Sequence, residues 1–180
     1  MLPSSDGLTN AMAAQINDGP GLTVELGAGT GAVTSALLTR GVTPDRLILV
    51  EKDRILANKL ADHFPSLQVL QGDAARLQQL LRESRLGPAN NVVSSLPLLS
   101  MRCHTRIRVL AEIFNSLQPG GKLVQFTYSP RPPIPQRLAA SLRVEGKRIG
   151  RVMWNLPPAH VWVYKHTPAD PGRPSFSLTG

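Results

Sequence analysis

The chain alternates between short apolar runs and segments in which apolar residues recur every three or four positions. The runs predict strands, because a strand that is buried on both faces carries few polar side chains. They are residues 22–26, 46–51, 67–70, 91–94 and 123–128. The segments between them predict amphipathic helices. Their apolar positions are residues 32–38; Ile55, Leu56, Leu60 and Phe64; Leu77, Leu80 and Leu81; and Ile107, Leu110, Ala111, Phe114 and Leu117.

The order of these elements predicts an α/β fold. Each crossover helix must bury its apolar stripe against the sheet, so the sheet is expected to be mostly parallel with helices on both faces. After Tyr128, the prolines in residues 129–135 predict a loop, because proline cannot continue a strand ladder or a helix. Residues 143–152 and 160–165 lack a helical period and predict two terminal strands with a turn at residues 155–158.

Three segments are expected along the chain. Residues 1–20 form an arm with a short helix, residues 21–166 form the main domain, and residues 167–180 form a flexible tail rich in proline, glycine and serine. The apolar positions of the short helix are Leu8, Met12 and Ile16. A transmembrane span and a secretory signal are not expected, because the sequence lacks an apolar run of about 18 residues and a basic start followed by an apolar stretch.

Cysteine and histidine usage indicates the compartment. The only cysteine, Cys103, cannot form an internal disulfide, and the four histidines form no zinc-type cluster with it. Cys103 and His104 are expected as surface or core residues rather than as a nucleophile or a metal ligand. A reducing cytoplasm and the absence of a metal are therefore expected.

Positive charge is concentrated in the second half of the chain. The formal net charge is +8; residues 1–90 hold 8 Lys and Arg against 9 Asp and Glu, while residues 91–180 hold 12 against 3. This asymmetry predicts a surface that faces either nucleic acid or phospholipid headgroups. The alternative is a solvated basic face that maintains solubility.

A glycine-rich loop joins the first predicted strand to its helix. Gly27, Gly29 and Gly31 let backbone approach a ligand closely, and ligands of open parallel sheets bind at the carboxyl ends of the strands. Glu25 stands two residues before the first glycine, where a carboxylate attracts a cationic group of a ligand and repels a pyrophosphate. These glycines alone also satisfy a dinucleotide-binding pattern.

Acidic residues also follow the next two predicted strands. Glu51 is placed to accept both hydroxyls of a ribose, and Asp73 to read an adenine amino group through its side chain or the adjacent backbone. The structural alternatives are that Glu51 is a solvated strand end and that Asp73 caps the helix beginning at Ala74. Turn chemistry alone seldom puts acids after successive strands, which favours the nucleoside interpretation.

This set of residues resembles the class I S-adenosylmethionine-dependent methyltransferases. The resemblance implies a Rossmann-like fold, with a mostly parallel sheet, helices on both faces and an antiparallel C-terminal strand. It implies S-adenosylmethionine (SAM) as cofactor, S-adenosylhomocysteine as product and no metal; a cofactor without phosphate suits an acidic pocket. The residues expected to bind SAM are Glu25, Gly27, Ala28, Gly29, Gly31, Glu51, Lys52, Gly72, Asp73, Ala74 and Ser94.

The segment after the fourth strand is expected to carry the acceptor site. Adenine N-methyltransferases resemble one another here in having Asn or Asp, one residue, Pro and then an aromatic ring that stacks on the base. This chain has Ser95 and Leu98 at the first and last of these positions, so a nucleobase loses its stacking partner.

From Ser4 to Lys165, the chain looks like the short, soluble type of bacterial phospholipid N-methyltransferase. The similar motifs are residues 94–101, 119–121, 125–128, 129–135 and 155–164. The resemblance implies stepwise methylation of phosphatidylethanolamine toward phosphatidylcholine, a fold similar to rRNA adenine dimethyltransferases, an anionic membrane surface as partner and no nucleic acid. It implies a cytoplasmic protein associated peripherally with the inner face of the cell membrane. The basic N-terminal helix common in the family is not matched, because residues 1–20 contain no Lys or Arg.

Aromatic faces hold methylated amines, which are permanent cations. Tyr128 is the ring expected at the acceptor site and the first candidate for a base, ahead of His104. Trp154, Trp162 and Tyr164 are the other candidate rings, although terminal strands normally use such residues as core. Arg131 and Arg137 either meet a lipid phosphate or lie on a solvated loop. The expected substrate-binding residues are Ser95, Leu96, Pro97, Tyr128 and Arg131, with Tyr128 as the catalytic candidate.

Three functions remain open from the sequence. The first is methylation of a lipid amine. The second is methylation of RNA, in particular rRNA adenine, or of protein, with the basic surface on phosphodiesters. The third is a non-catalytic binding module that retains the fold. The missing ring at Leu98 counts against the nucleic-acid function, and the complete cofactor set counts against the third.

Overall fold

The computed structural model describes residues 6–152 and 158–167. Within this part of the chain, seven strands form one sheet in the order β3-β2-β1-β4-β5-β7-β6. They are β1 (Leu22–Leu26), β2 (Leu47–Glu51), β3 (Gln68–Gln71), β4 (Ala89–Ser94), β5 (Leu117–Thr127), β6 (Val144–Val152) and β7 (Ala159–His166). The first five residues of the expected arm, Trp154, most of the expected turn at 155–158 and the expected tail beyond Thr167 lie outside the described residues.

Strand directions confirm the predicted fold class. The pairs β1–β2, β2–β3, β1–β4 and β4–β5 are parallel, whereas β7 is antiparallel to both β5 and β6. The strand order reverses between β1 and β4, and ligands of such sheets bind beside the carboxyl ends at this reversal. The glycine loop that follows β1 therefore lies at the expected binding edge.

Helices cover both faces of the sheet, as predicted. The helices are α1 (Asp6–Ala13), α2 (Ala32–Thr39), α3 (Arg54–His63), α4 (Leu77–Glu83), α5 (Cys103–Ser116) and α6 (Gln136–Ser141). One buried cluster joins α4 and α5 to the sheet, and the other joins α1, α2 and α3 to its opposite face. Leu8 and Met12 of α1 are fully buried in the second cluster, so α1 packs as part of the domain.

The structure differs from the sequence expectations at three places. Helix α6 was not predicted; it begins directly after Pro135, whose fixed φ is compatible with a helix start. Leu117 begins β5 instead of ending the preceding helix. Ile55 belongs to the predicted apolar stripe of α3 but is 67% exposed, because that helix buries Ala57 and Leu60 instead.

A buried asparagine links the N-terminal segment to the edge of the sheet opposite the glycine loop. The Asn91 side chain accepts a hydrogen bond from the Asn17 backbone N–H (2.7 Å) and donates to the Asn17 carbonyl (3.2 Å) and the Thr23 hydroxyl (3.1 Å). Asn91 is fully buried, and its amide is thus satisfied by partners on the arm and on β1. This network fixes the arm that follows α1 against the amino ends of the strands.

Candidate cofactor and acceptor site

Backbone hydrogen bonds continue past the strand ends and bring the predicted cofactor residues into one row. Because β3, β2, β1 and β4 are parallel neighbours, the residues that follow them meet at the same edge of the sheet. The bonds are Gly27 N–H to the Val50 carbonyl (2.9 Å), Gly72 N–H to the Glu51 carbonyl (3.0 Å) and Ser95 N–H to the Leu26 carbonyl (3.0 Å).

The glycine loop requires glycine for both backbone and space. Gly27, Gly29 and Gly31 have φ of 70°, 56° and 84°, the left-handed region that other residues rarely adopt. A Cβ at Gly31 would lie 2.5 Å from the Phe64 ring, and one at Gly27 would lie 2.9 Å from the Leu96 side chain. The loop is therefore packed between α3 and the acceptor segment after β4, and it leaves bare backbone at the binding edge.

Glu51 is fixed in place by the loop that it supports. One carboxylate oxygen accepts the Gly29 N–H at 3.0 Å, and the other accepts the Asp53 N–H at 2.9 Å. A carboxylate has about four acceptor positions, so each oxygen keeps capacity for a ribose hydroxyl. The side chain is only 8% exposed and its orientation is set before a ligand arrives, which fits the role predicted for it.

Asp73 has two partners within the protein. Its Oδ1 accepts the Ala75 N–H at 2.9 Å and its Oδ2 pairs with Lys52 Nζ at 2.8 Å. The Lys52 hydrogen bond and then the Ala75 N–H hold the pKa of Asp73 below its usual range, and the same carboxylate raises the pKa of Lys52. The capping role proposed as the structural alternative is thus present. The backbone at Gly72 approaches Leu80 closely, since a Cβ there would lie 2.6 Å from that side chain.

Glu25 lies beneath the glycine loop, where solvent does not reach it. Its Oε2 accepts the Thr34 hydroxyl at 2.7 Å, and its Oε1 has no hydrogen-bond partner among the described residues. Burial raises the pKa of Glu25 to about 8. The Thr34 hydrogen bond therefore holds the Glu25 side chain against α2, beneath the loop.

The acceptor segment leaves the sheet immediately beside this row. Ser94 is buried and its hydroxyl accepts the Leu96 N–H at 3.3 Å, while Ser95 and Leu96 are half-buried and Pro97 is exposed. Leu98 is 2% exposed and belongs to the core cluster under α4 and α5. The side chain at this position is consequently unable to act as a stacking platform.

Tyr128 and Arg131 lie beyond the end of β5. Tyr128 is 41% exposed and makes an edge-to-face contact with Phe126 at 5.4 Å between ring centroids. Arg131 is exposed, and its backbone N–H donates to the Ser129 hydroxyl at 3.1 Å. Within the part of the chain that the structure describes, no hydrogen bond or ion pair joins Tyr128 or Arg131 to the cofactor row.

Gln125 was missed by the sequence predictions. It is 1% exposed, and its Nε2 donates to the carbonyls of Leu96 (2.9 Å) and Phe126 (2.8 Å). Its sequence signals are that it is polar within an apolar strand and that it opens the motif at residues 125–128. Trp162 lies opposite Gln125 in the β5–β7 register and stacks on the buried Tyr164. Both terminal aromatics thus pack with the core.

Residues 6–152 and 158–167 contain no arrangement typical of a metal site or a membrane span. No group of three or more His, Cys, Asp or Glu side chains in this part of the chain is arranged to hold a metal ion. Among the same residues, no helix combines the length and apolar character needed to cross a bilayer. Cys103 is an exposed free thiol.

Relatives and solved structures agree with this geometry. No protein-family model matches the chain. It is 33% identical over 135 residues to the ornithine lipid N-methyltransferase of Singulisphaera acidiphila, covering 72% of this chain and 70% of that protein. It is 37% identical over 93 residues to ribosomal RNA small subunit methyltransferase A of Chlorobium phaeobacteroides, covering 49% of this chain but only 34% of that protein.

Similar solved structures share the fold. The CcbJ methyltransferase of Streptomyces caelestis has a TM-score of 0.69 at 17% identity, covering 92% of this chain and 91% of that one. Magnesium protoporphyrin IX methyltransferase of Synechocystis, solved with bound SAM, has a TM-score of 0.66 at 12% identity, covering 90% of this chain and 77% of that one.

The sheet order, the glycine loop and the oriented Glu51 define a class I SAM-dependent methyltransferase, and SAM is its cofactor. More narrowly, the chain belongs to the family of the S. acidiphila ornithine lipid N-methyltransferase.

Proposed function

We propose that the protein methylates the amine of phosphatidylethanolamine and of its methylated forms, toward phosphatidylcholine. The observation that carries this proposal is the similarity to a protein named for lipid amine methylation, which spans 70% of that protein. The buried Leu98 adds support, because a nucleobase acceptor lacks a stacking ring at that position. Methylation of rRNA adenine is the second candidate, and the 37% identity to a ribosomal RNA methyltransferase favours it.

The chemistry requires alignment more than activation. SAM supplies a methyl group that is already activated on a sulfonium. The lipid ammonium first releases a proton; the neutral amine then attacks this methyl carbon, the C–N bond forms as the C–S bond breaks, and the electron pair stays on sulfur. Water or a lipid phosphate oxygen accepts that proton, with Tyr128 as the side-chain candidate. The protein contributes proximity: Glu51 and the glycine loop fix one reactant, and the segment after β4 faces the other.

The proposed partner is an anionic membrane surface. Five cations around α6 and β6 have exposed side chains, and we call them the basic surface. They are Arg131, Arg137, Arg143, Lys147 and Arg148. Ile149, which is 43% exposed on β6, adds an apolar side chain beside them. This arrangement supports a cytoplasmic enzyme bound peripherally to the inner face of the cell membrane.

The decisive assay supplies labelled SAM together with phosphatidylethanolamine vesicles, RNA and a protein lysate. We expect label in the lipid fraction and none in vesicles of phosphatidylglycerol alone, which have no amine. A parallel arm with ornithine lipid separates the two headgroups: label in that lipid alone makes the phosphatidylethanolamine assignment wrong. Label in RNA or protein without label in lipid would overturn the lipid proposal.

Replacing Tyr128 by alanine is expected to leave SAM binding intact and to lower the rate of methyl transfer by roughly fivefold to thirtyfold. This factor corresponds to the loss of one cation–π contact of about 1–2 kcal/mol. Calorimetry and a transfer assay measure the two effects. Tyr128→Phe is the matched variant, because it keeps the ring and removes the hydroxyl. Full activity of Tyr128→Ala excludes the residue from the site, and inactivity of Tyr128→Phe assigns the role to the hydroxyl.

Binding to vesicles is expected to depend on their charge and on salt. Residues 131–151 carry a net charge of +5, and each cation near an anionic leaflet contributes about 1 kcal/mol. The protein should therefore sediment with phosphatidylglycerol or cardiolipin vesicles, ignore zwitterionic vesicles, and be released by salt, which screens charges beyond about 10 Å at 0.1 M.

Charge reversal at Lys147 and Arg148 together should reduce this binding by roughly thirtyfold or more, since it removes about 2 kcal/mol of attraction. Arg54→Glu with Arg82→Glu is the matched control, because it makes the same change of charge on α3 and α4. Equal losses in both double variants, or binding indifferent to salt, contradict a role of the basic surface. Tight binding to RNA without binding to vesicles favours the second candidate function.

A further inference from the structure

The side-chain amide of Gln125 has one satisfied end and one unsatisfied end. Its Nε2 donates to the carbonyls of Leu96 at 2.9 Å and Phe126 at 2.8 Å. Because both neighbours are acceptors, only the NH₂ end can face them, and Oε1 must point away. Oε1 is buried and has no hydrogen-bond partner among the described residues.

This oxygen lies beside the acceptor segment. Standard bond lengths put Oε1 about 2.2 Å from Nε2, and therefore within roughly 5 Å of the Leu96 carbonyl oxygen. The Leu96 side chain packs against Gly27, since a Cβ at that glycine would lie 2.9 Å from it. In the β4–β5 register, Gln125 is also the neighbour of Ser94, which the sequence predicts to bind the cofactor. The unsatisfied oxygen thus lies beside the acceptor segment, and the Leu96 side chain of that segment contacts the glycine loop.

A buried acceptor without a partner carries an uncompensated desolvation penalty, so a ligand that donates an N–H at this position is favoured. Resting on the function proposed above, we propose that Gln125 Oε1 and the Leu96 carbonyl accept the two N–H groups of the amine that is to be methylated. With both N–H groups held, the lone pair of the nitrogen has one remaining direction. Gln125 is then a substrate-binding residue that aligns the nucleophile.

The number of N–H groups falls with each methyl transfer. A neutral primary amine has two, its monomethyl form has one, and its dimethyl form has none. The contribution of Gln125 Oε1 should therefore be largest for the first transfer and absent from the third. A purely structural role, such as holding the Leu96 carbonyl in place, affects all three transfers equally.

The test compares kcat/KM of the wild type and of Gln125→Met on vesicles that contain phosphatidylethanolamine, its monomethyl form or its dimethyl form. Relative to its effect on the dimethyl lipid, Gln125→Met should lower kcat/KM for phosphatidylethanolamine by a further tenfold, about the loss of one hydrogen bond to a buried group. The monomethyl lipid should be intermediate. Gln118→Met is the matched control, because Gln118 lies on the same strand at the opposite end and its Nε2 also donates to a carbonyl, that of Pro20.

Two further variants distinguish the proposed contact from a hydrogen bond within the protein and from a loss of cofactor binding. Trp162 lies opposite Gln125 and its indole N–H is buried without a partner among the described residues, so a Gln125–Trp162 hydrogen bond is the competing arrangement. If Trp162→Phe and Gln125→Met give the same loss, equal on all three lipids, the competing arrangement is correct and the inference is overturned. Gln125→Asn withdraws the amide by one methylene and should give the same order of losses in kcat/KM among the three lipids. It replaces Gln125→Met in the test if that variant does not bind SAM.

The outcomes separate the two proposals. An active wild type with an equal loss on all three lipids in the Gln125 variants overturns this inference and leaves the proposed function standing. A wild type inactive on all three lipids overturns the proposed function and this inference with it.

Discussion

Alanine at position 51 is expected to weaken SAM binding by roughly 1–3 kcal/mol, the cost of losing a charge-assisted partner of a buried group. The substitution removes the predicted acceptor of the ribose hydroxyls and also leaves the N–H groups of Gly29 and Asp53 without the carboxylate that now accepts them. The glycine loop loses its support at the same time. Isothermal calorimetry on the folded variant measures the effect directly, as a rise in Kd of about fivefold to 150-fold.

Glu112→Ala is the matched control for this prediction. Glu112 also accepts a backbone N–H, that of Gln78 at 2.8 Å, but it lies on α5, away from the cofactor row. The control separates loss of a carboxylate–amide bond from loss of a cofactor contact. SAM affinity that is unchanged in a folded Glu51→Ala protein would show that Glu51 is only a strand end.

The free energy of unfolding is expected to fall as pH rises from 4.5 toward 8, in part because of Glu25. Burial raises the pKa of this group from 4.5 to about 8 in the folded protein, so the folded state keeps a proton that the unfolded state releases. The stabilisation is fully present below the unfolded pKa and is lost as pH rises through the folded pKa. Its slope is at most about 1.4 kcal/mol per pH unit.

Glu25→Gln should remove this slope, because glutamine retains the shape of the neutral acid and does not titrate. Denaturant unfolding of both proteins across this pH interval, with Glu112→Gln as the control, measures the difference between the two curves. The two curves should lie closest near pH 4.5, and the wild type should become progressively less stable relative to Glu25→Gln as pH rises toward 8. Parallel curves would mean that Glu25 does not keep its proton in the folded state.

The alternation of strands and helices was predictable because each element leaves a local periodic signal. Helix α6 was not predictable in this way, because it is short and directly follows a proline-rich segment whose pattern indicates a loop. The exposure of Ile55 depends on which turn of α3 contacts the sheet, and periodicity alone does not fix that contact.

In the candidate site, the glycines and acidic residues at the strand ends could be predicted because they lie close together in the sequence, directly after the apolar runs that mark the strands. The partners of those residues were not found, because they are distant along the chain. Thr34 binds Glu25 from the next helix, and Gln125 reaches Leu96 from a strand 29 residues away. Side-chain pairing of this kind is a property of the folded chain, and no local pattern reports it.

The position of β7 between β5 and β6 constrains how the sheet can form during synthesis of the chain. On the ribosome, β6 emerges before the strand with which it pairs, and β5 keeps an open edge until residues 159–166 have been translated. An unpaired apolar edge is a template for aggregation. A premature stop before Ala159 would therefore affect more than β7 itself. It would leave β6 without its partner and expose residues 123–127 of β5. The shortened chain would then be expected to aggregate rather than to form a smaller enzyme.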